Sequence, residues 1–381
     1  MTRKLYYEDQ YLSSFEGKVI SCTGTEDGFK IVLDKTAFFP EGGGQPSDTG
    51  YIGDAVISAV IEEGDTIYHI ADKALPVGEI LPCKIDWDTR FVRMQNHTAE
   101  HMVSGLVNST FGYENVGFHM GEGFCTADFS GELSTEDLEK IERMANEAVW
   151  RNAEVTSVFP SPEELPGMEY RSKLELTENV RIILIDGVDK CACCAPHVKN
   201  AGEVGVIKIL EAARHRGGMR VTMASGKWAY EDYCMHFKNN VAISGLLSAK
   251  RADTPRYVER VLKEKEEQMQ EILRLKKQLR AIRLESMTYT EGNRCIFEEM
   301  DNNDLRHFVN EALKLTGGIC AAFSGSDEKG YSYIIASHSV NMQEKAKEIN
   351  SHLNGRGGGR DEMIQGSVKA TQKEIEEYFG V

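Results

Sequence analysis

The chain has 381 residues, of which 41% are apolar and 27% are charged, and its formal net charge at pH 7 is −16. That length suffices for two or three domains with cores of their own, and the apolar fraction excludes a disordered chain. The acidic balance excludes indiscriminate attraction to nucleic acid, because nonspecific phosphate binding is driven by summed positive charge. Any contact with nucleic acid must therefore be local.

The cysteines and the distribution of apolar residues indicate the cellular compartment of the protein. The chain has nine cysteines at irregular spacings, no charged-then-apolar leader and no apolar run approaching the length of a membrane span. These features predict a cytoplasmic protein with reduced thiols and no membrane partner.

Residues 1–88 alternate short β-branched or aromatic runs with turn signals, which predicts a small β-barrel domain or a sandwich. Within this segment, Gly42, Gly43 and Gly44 are followed by Gln45. Successive glycines permit positive φ and a close approach of the backbone, so this GGGQ loop is either a tight crossover or a contact with a ligand's backbone.

Residues 89–235 begin with a helical pattern that carries two histidines. His97 and His101 are followed by Met102, Val103 and Leu106 at helical spacing. Both imidazoles should therefore project from one face of an amphipathic helix.

A second pair of metal-ligand side chains, Cys193 and His197, has the same spacing about a hundred residues later. Together with His97 and His101 they form the mixture of thiolate and imidazole that tetrahedral zinc prefers. We therefore predict one Zn²⁺ per chain at these four residues. The alternative is that Cys193 and its neighbours are buried apolar thiols, with His197 satisfied by a backbone carbonyl.

The remainder of this segment mixes helices and strands without the rhythm of a parallel sheet, which favours an α+β class. Ser134 is placed as the N-cap of a long helix. The apolar runs 180–185 and 204–210 predict two buried strands that flank the cysteines.

Residues 236–286 read as a long helical linker with a heptad seam that is polar in its first half and apolar in its second. The seam runs through Val261, Lys265, Gln268, Ile272, Leu275, Leu279 and Ile282. The pattern leaves open a coiled-coil contact in a homodimer and a solvated connecting helix.

Residues 287–381 predict an α/β, glycine-rich C-terminal domain. A helical run at 305–315 precedes two strand-like runs, 317–324 and 331–336, that a Gly/Ser/Asp turn pairs. The segment 355–360 reads GRGGGR, and we predict a loop whose Arg356 and Arg360 approach a phosphate. No Lys-Ser/Thr follows the glycines, so the segment is not a P-loop.

Five motifs in order resemble a known family. They are F-x-P-E-G-G-G-Q-x-x-D-x-G at 38–50, N-H-T-A-E-H at 96–101, C-C-x-x-H-V at 193–198, R-G-G-M-R at 216–220 and G-R-G-G-G-R at 355–360. Together they resemble the editing half of alanyl-tRNA synthetase and, more closely, the long form of the freestanding AlaX group of alanyl-tRNA editing proteins.

The resemblance implies a zinc-containing editing domain at 89–235 and a domain for tRNA binding or dimerisation at 287–381. The implied reaction is hydrolysis of the ester that joins a wrong amino acid, serine or as a second candidate glycine, to the terminal adenosine of tRNA(Ala). Because the predicted barrel begins the chain, without an aminoacylation domain before it, the resemblance implies editing in trans.

The resemblance also implies roles for individual residues. Glu100 and His119 are the candidates for catalysis or amino-acid recognition. By alignment, His119 is the nearest polar equivalent of a glutamine with which the synthetase recognises the amino acid. The implied contacts with substrate or tRNA are Gly42, Gly43, Gly44, Gln45, Arg216, Arg220, Arg356 and Arg360. The chain departs from the family at Ala195 and Pro196, where Gly and Thr are usual, so hydrogen bonds from a threonine at position 196 are absent.

Two other functions stay open at this stage. The run from His97 to His101 also fits H-x-x-E-H, the motif of zinc peptidases in which Glu100 is the general base. Cys193 and His197 oppose this reading, because such a site needs a carboxylate as its third ligand and an open fourth position. The other alternative is a non-catalytic tRNA-binding protein with structural zinc, which four protein ligands would suit.

Overall fold

The computed structural model describes residues 2–26, 28–172 and 180–381, and the chain divides into two compact units, Met1–Ile243 and Ser244–Val381. Helices and strands are mixed in both units, which confirms the α+β class. Within the described part of the chain, every helix is too short or too polar to cross a membrane.

The first unit opens with a closed barrel in the strand order β2-β3-β7-β6-β5-β8. Alternate residues of its strands, such as Val19, Ile31 and Ile67, fill the interior. The elements of this segment are β1 (Arg3–Lys4), α1 (Leu5–Glu8), β2 (Ser14–Thr25), β3 (Gly28–Leu33), β4 (Lys35–Thr36), β5 (Gly50–Ile52), β6 (Ala55–Glu63), β7 (Thr66–Ala71) and β8 (Ile80–Ile85).

Beyond the barrel, a four-stranded sheet in the order β14-β15-β10-β9 and a three-stranded sheet in the order β11-β12-β13 share one apolar core with two helices. Its elements are α2 (Trp87–Phe111), β9 (Asn115–Met120), β10 (Cys125–Phe129), α3 (Thr135–Trp150), β11 (Val155–Val158), β12 (Ile182–Ile185), β13 (Asp189–Ala192), β14 (Ile207–His215) and β15 (Gly218–Ser225). Asp86 caps the start of α2, Gly112 ends it in the left-handed conformation, and Ser134 caps α3 as predicted.

The strands near the cysteines differ in part from the prediction. β12 falls within 180–185, but β13, which was not predicted, follows it and pairs with it antiparallel. The second predicted strand begins only at Ile207, because Val204 lies in a 3₁₀ turn. This strand, β14, is mostly exposed since it stands at the edge of its sheet.

A buried ion pair between Asp48 and Arg90 joins the GGGQ loop of the barrel to α2. Arg90 Nε donates to Asp48 Oδ1 at 2.9 Å, and its Nη2 donates to the Ala37 carbonyl at 2.7 Å. The other oxygen of Asp48 accepts from the Phe39 amide at 2.6 Å. The loop therefore has a fixed position against the helix.

The second unit consists of a five-stranded sheet with helices. The helix α4 (Gly226–Leu246) contains the boundary between the units. The further elements are α5 (Thr254–Glu285), β16 (Arg294–Phe297), α6 (Asn302–Leu313), β17 (Cys320–Ser326), β18 (Gly330–Ala336), α7 (Met342–His352), β19 (Gly355–Arg360), β20 (Met363–Val368) and α8 (Gln372–Phe379). The sheet order is β16-β17-β18-β20-β19, and the predicted pairing of β17 with β18 is confirmed.

The apolar seam of α5 is exposed in this structure. Leu279 and Ile282 retain 67% and 62% of their accessible surface. A homodimer contact through this helix stays a prediction.

The segment GRGGGR forms a strand, β19, and the prediction of a loop was wrong. β19 pairs antiparallel with β20, and three of its glycines, Gly355, Gly357 and Gly359, lie too close to β20 for any side chain. A Cβ at Gly357 would lie 2.3 Å from the Gln365 carbonyl oxygen, and one at Gly359 would lie 2.1 Å from that of Met363. Nothing lies within 4 Å of a Cβ at Gly358.

This difference predicts unequal effects of alanine along β19. Gly357→Ala or Gly359→Ala should lower the free energy of unfolding by about 1–3 kcal/mol, because the strands must move apart to admit a methyl group. Gly358→Ala is the matched control and should change stability little. Urea unfolding of the three variants measures this, and equal losses would contradict the packing argument.

Candidate metal centre

The structure brings His97, His101, Cys193 and His197 together. The histidines of α2 face the loop that follows β13, and the four candidate ligand atoms lie within 4.8 Å of one another. The Cys193 sulfur is 3.5 Å from His97 Nε2 and 3.4 Å from His197 Nε2. All three imidazoles are buried. Two distant segments therefore supply one compact set of donors.

Each of the three imidazoles is oriented by a hydrogen bond at Nδ1, which leaves Nε2 available to a metal. Partners of this kind fix the ring and the tautomer of a metal-binding histidine. The bonds join His97 to Gln45 Oε1 at 2.9 Å, His101 to Asp189 Oδ2 at 3.2 Å and His197 to Thr98 Oγ1 at 3.0 Å.

Asp189 is held in turn by Arg171, whose Nε and Nη2 donate to its two oxygens at 2.8 and 2.7 Å. Burial would raise the pKa of the Asp189 carboxyl, but the hydrogen bonds from His101 and Arg171 bring that pKa below its usual range. Gly105 of α2 permits this arrangement, because a Cβ there would lie 2.6 Å from the Asp189 Cβ. A charged carboxylate thus stands behind His101.

The protonation states of Cys193 and His197 suit a site for a cation. Burial would raise the pKa of the Cys193 thiol, but His97, His197 and His101 around it bring the pKa well below its usual range. Burial lowers the pKa of His197 to about 3, so its ring is neutral. Burial would lower the pKa of His101, but Cys191, Asp189 and Cys193 raise that pKa well above its usual range, so a metal would have to displace a proton from this ring. Thiolate and neutral imidazole are the forms that bind zinc.

A second possible ligand group, made of His101, Asp189 and Cys191, shares one histidine with the first. It is the weaker candidate, because Arg171 already neutralises Asp189. Burial also raises the pKa of the Cys191 thiol, which disfavours the thiolate.

A cavity of about 410 Å³ opens beside the donors. Glu100 forms part of its wall, and its carboxylate accepts hydrogen bonds from Ser104 Oγ at 2.5 Å and from the Asn115 side chain. Phe118 of β9 is also in the wall, with its ring 4.9 Å from that of His97. Sequence analysis missed Asn115 and Phe118, which carry no signal of their own.

His119 does not line this cavity. Side chains of a strand alternate between its faces, so His119 points away from the side that Phe118 occupies, and it is exposed. The geometry therefore places Glu100 at the site and His119 outside its wall.

The GGGQ loop contacts the donors directly. Gly43 has φ +61° and lines the cavity, and a Cβ there would lie 3.8 Å from His97 Cε1. At Gly44, which packs on Phe118, a Cβ would lie 2.6 Å from the backbone oxygen of that residue. Gln45 is fully buried and its Oε1 is bonded to His97 Nδ1, which places it behind that imidazole. Its contact with substrate or tRNA stays a prediction.

The predicted arginines are not in the cavity wall of the first unit. Arg220 binds Asp128 through two hydrogen bonds of 2.7 and 2.8 Å, and Arg216 lies exposed in the turn between β14 and β15. Arg356 and Arg360 belong to the second unit, where both are exposed on β19.

Comparisons with known proteins agree with the predicted family. Residues 180–222 match the threonyl and alanyl tRNA synthetase second additional domain, and residues 291–378 match the DHHA1 domain. The chain is 26% identical to the alanyl-tRNA editing protein AlaX-L of Pyrococcus horikoshii, over 98% of this chain and 96% of that protein. The resemblance to the long-form AlaX group is confirmed.

Two further relatives, an editing protein and a ligase, are similar to nearly the whole of this chain. The alanyl-tRNA editing protein Aarsd1 of Danio rerio is 26% identical over 97% of this chain and 94% of its own. The alanine–tRNA ligase of Pyrococcus abyssi is 30% identical over 98% of this chain, which spans only 42% of that ligase. The chain thus matches the AlaX-type proteins over nearly their whole length and the ligases over less than half.

The bond from Asp189 to His101 gives a prediction for metal affinity. Asp189→Asn should weaken metal binding by roughly 10–100-fold, because the charge and the acceptor behind His101 are lost. Titration against a competing chelator measures this. Asp186→Asn, an exposed change in the same hairpin, is the control. Equal affinity in both variants would remove Asp189 from the metal centre.

Proposed function

We propose that this protein is a trans-editing hydrolase. It deacylates tRNA(Ala) that carries serine, with glycine as the second candidate, at a zinc ion bound by His97, His101, Cys193 and His197. The observation that carries the proposal is this donor set beside a cavity, in a chain similar over nearly its whole length to proteins named alanyl-tRNA editing proteins.

The residues fit zinc better than the other common metals. Three imidazoles and one thiolate are a mixture that zinc accepts in tetrahedral geometry, whereas calcium and magnesium require oxygen ligands. A bound zinc ion would supply Lewis-acid activation of the ester carbonyl or of a water molecule. The partners behind the imidazoles support a rigid site.

Glu100 is the side chain best placed to act on the substrate. Its carboxylate has a fixed position in the wall, because Ser104 and Asn115 both donate to it. From there it can accept a proton from water or a hydrogen bond from the amino group of the amino acid. The cavity has the size of a small-ligand pocket, which favours a small amino acid on the terminal sugar.

The second unit offers a surface for the tRNA. Arg356 lines a groove together with Lys329 and Lys369, and no carboxylate is among the lining residues. Among the described residues, these three cations have no ion pair. Such a local cluster can bind backbone phosphates although the whole chain is acidic.

The two alternatives differ in support. A peptidase would need a carboxylate as third ligand, but Asp189, which lies within reach of His101, is bound to Arg171 and stands behind that ring. A structural zinc remains the second candidate, because four protein ligands close a tetrahedral site. In an editing enzyme, the cavity wall would then receive the substrate.

Deacylation of charged tRNA(Ala) tests the proposed function. Purified protein is incubated with serine-, glycine- and alanine-charged tRNA(Ala), with and without a chelator. We expect serine to be released fastest and alanine to be retained, with activity lost on chelation and restored by zinc. Zinc-dependent folding without release of any amino acid would contradict the editing function and support a purely structural zinc.

Substitution of the donors separates metal from thiol effects. His97→Ala and Cys193→Ala should each remove stoichiometric zinc and deacylation. Cys22→Ala, a thiol of the barrel, should retain both. Elemental analysis and the deacylation assay measure the two properties, and zinc retained in the Cys193 variant would contradict the ligand set.

Glu100 should matter for turnover but not for the metal. Glu100→Gln keeps the hydrogen-bonding shape and should lower kcat by roughly 10²–10⁴-fold with zinc retained. His119→Gln is the control outside the cavity and should keep the wild-type kcat. Normal turnover in the Glu100 variant would show that this residue is neither an acid nor a base in the reaction.

The groove of the second unit should contribute to the affinity for charged tRNA and not to the chemical step. Arg356→Ala combined with Lys369→Ala should raise KM for charged tRNA and leave kcat unchanged, since binding is lost and chemistry is not. The slope of log affinity against log salt should also fall, because fewer phosphates are neutralised. Gly358→Ala on β19 is the control, and an unchanged salt slope would remove the groove from tRNA binding.

A further inference from the structure

Arg181 lies next to the metal donors but was not part of any motif. The ladder between β12 and β13 extends to it, because the Cys193 amide donates to the Arg181 carbonyl at 3.0 Å. Its Nη1 donates to the carbonyls of Cys193 and Ala195 at 3.1 and 2.7 Å. The guanidinium also lies over the Tyr7 ring, 5.5 Å from its centre.

The other edge of this guanidinium is unused. Arg181 is only 4% exposed, it lines the cavity, and its Nε and Nη2 have no hydrogen-bond partner among the residues that the structure describes. Nε and Nη2 are the pair of atoms through which Arg171 and Arg220 each bind the two oxygens of a carboxylate. Arg181 therefore carries, at the cavity wall, a fork that is unpaired and closed to solvent in this structure, and whose shape matches a group with two oxygens.

Within the described ranges, no carboxylate forms an ion pair with Arg181 either. Among the described residues, Arg90 is the other arginine that is buried to this degree, and it is paired with Asp48. A buried, unpaired cation is costly, so a bound anion would stabilise this site.

We propose that Arg181 binds the phosphodiester on the 5′ side of the terminal adenosine of the charged tRNA. This inference rests on the proposed function. In an aminoacylated terminus the carboxyl group is esterified and the amino group is cationic, so the phosphodiester is the available anion. It has two non-bridging oxygens, which match the fork, and it lies one sugar away from the ester.

This contact would make Arg181 a substrate-positioning residue. A phosphate held beside Cys193 fixes the sugar, and through it the ester, with respect to the donors. Two other acceptors, the ester carbonyl and a seryl hydroxyl, offer a single oxygen each and would leave half of the fork unpaired. The two-oxygen group is therefore the better match.

Two small esters test the proposal. One is 3′-O-seryl-adenosine, and the other is the same ester with a methyl phosphate on its 5′ oxygen. With zinc-loaded wild-type protein, the phosphate should raise kcat/KM by roughly 10–100-fold, the range for hydrogen bonds to a charged group. Arg181→Lys and Arg181→Gln should lose most of this advantage while keeping zinc. Arg214→Lys, an exposed change, is the control and should retain it.

The outcomes are distinct. Equal kcat/KM for the two esters in wild-type protein would overturn the proposal and leave the editing function standing. An equal loss of kcat on both esters in the variants would assign Arg181 to the ester carbonyl instead. Loss of zinc in both variants would assign Arg181 to the metal loop alone and also overturn it. Failure of wild-type protein to release serine from charged tRNA would instead count against the proposed function itself.

Discussion

The ion pair of Asp48 with Arg90 is the constraint on which the rest of the first unit depends. Both charges are out of water, and each would be strongly destabilising without the other. The pair keeps the GGGQ loop against α2, so that Gln45 reaches His97. The barrel thus contributes to the metal centre without supplying a ligand. Each imidazole is then oriented by a different segment, the barrel loop, α2 itself or β13.

The donors could be predicted from the sequence because their spacing reports local geometry. Two residues four apart on a helix share a face, and the histidines of α2 do so. The partners behind the donors could not be predicted in this way. Gln45 is 52 residues from His97, and Asp189 is 88 residues from His101, so only the folded chain brings them together. The position of His119 outside the cavity wall could not be predicted for a related reason. The sequence of a strand as short as β9 does not show which of its residues face the cavity.

Glycine and arginine were harder to interpret than histidine and cysteine. Three glycines in a row predict freedom of the backbone, but at Gly357 and Gly359 they serve the close pairing of two strands. Arg181 gave no signal at all, because a single arginine before an apolar run is common. Its meaning lies in two buried donors that have no partner in the described part of the chain, which only the structure reveals.

The position of β19 at the end of its sheet has a further consequence. A terminal strand presents backbone groups to which a strand of another molecule can add, and glycine-rich strands offer little steric resistance. Asn350 covers one of these groups by donating to the Gly357 carbonyl at 3.0 Å. Arg356 and Arg360 at either end would repel the same residues of a second copy. The two arginines therefore oppose self-association of this edge into a continuous sheet.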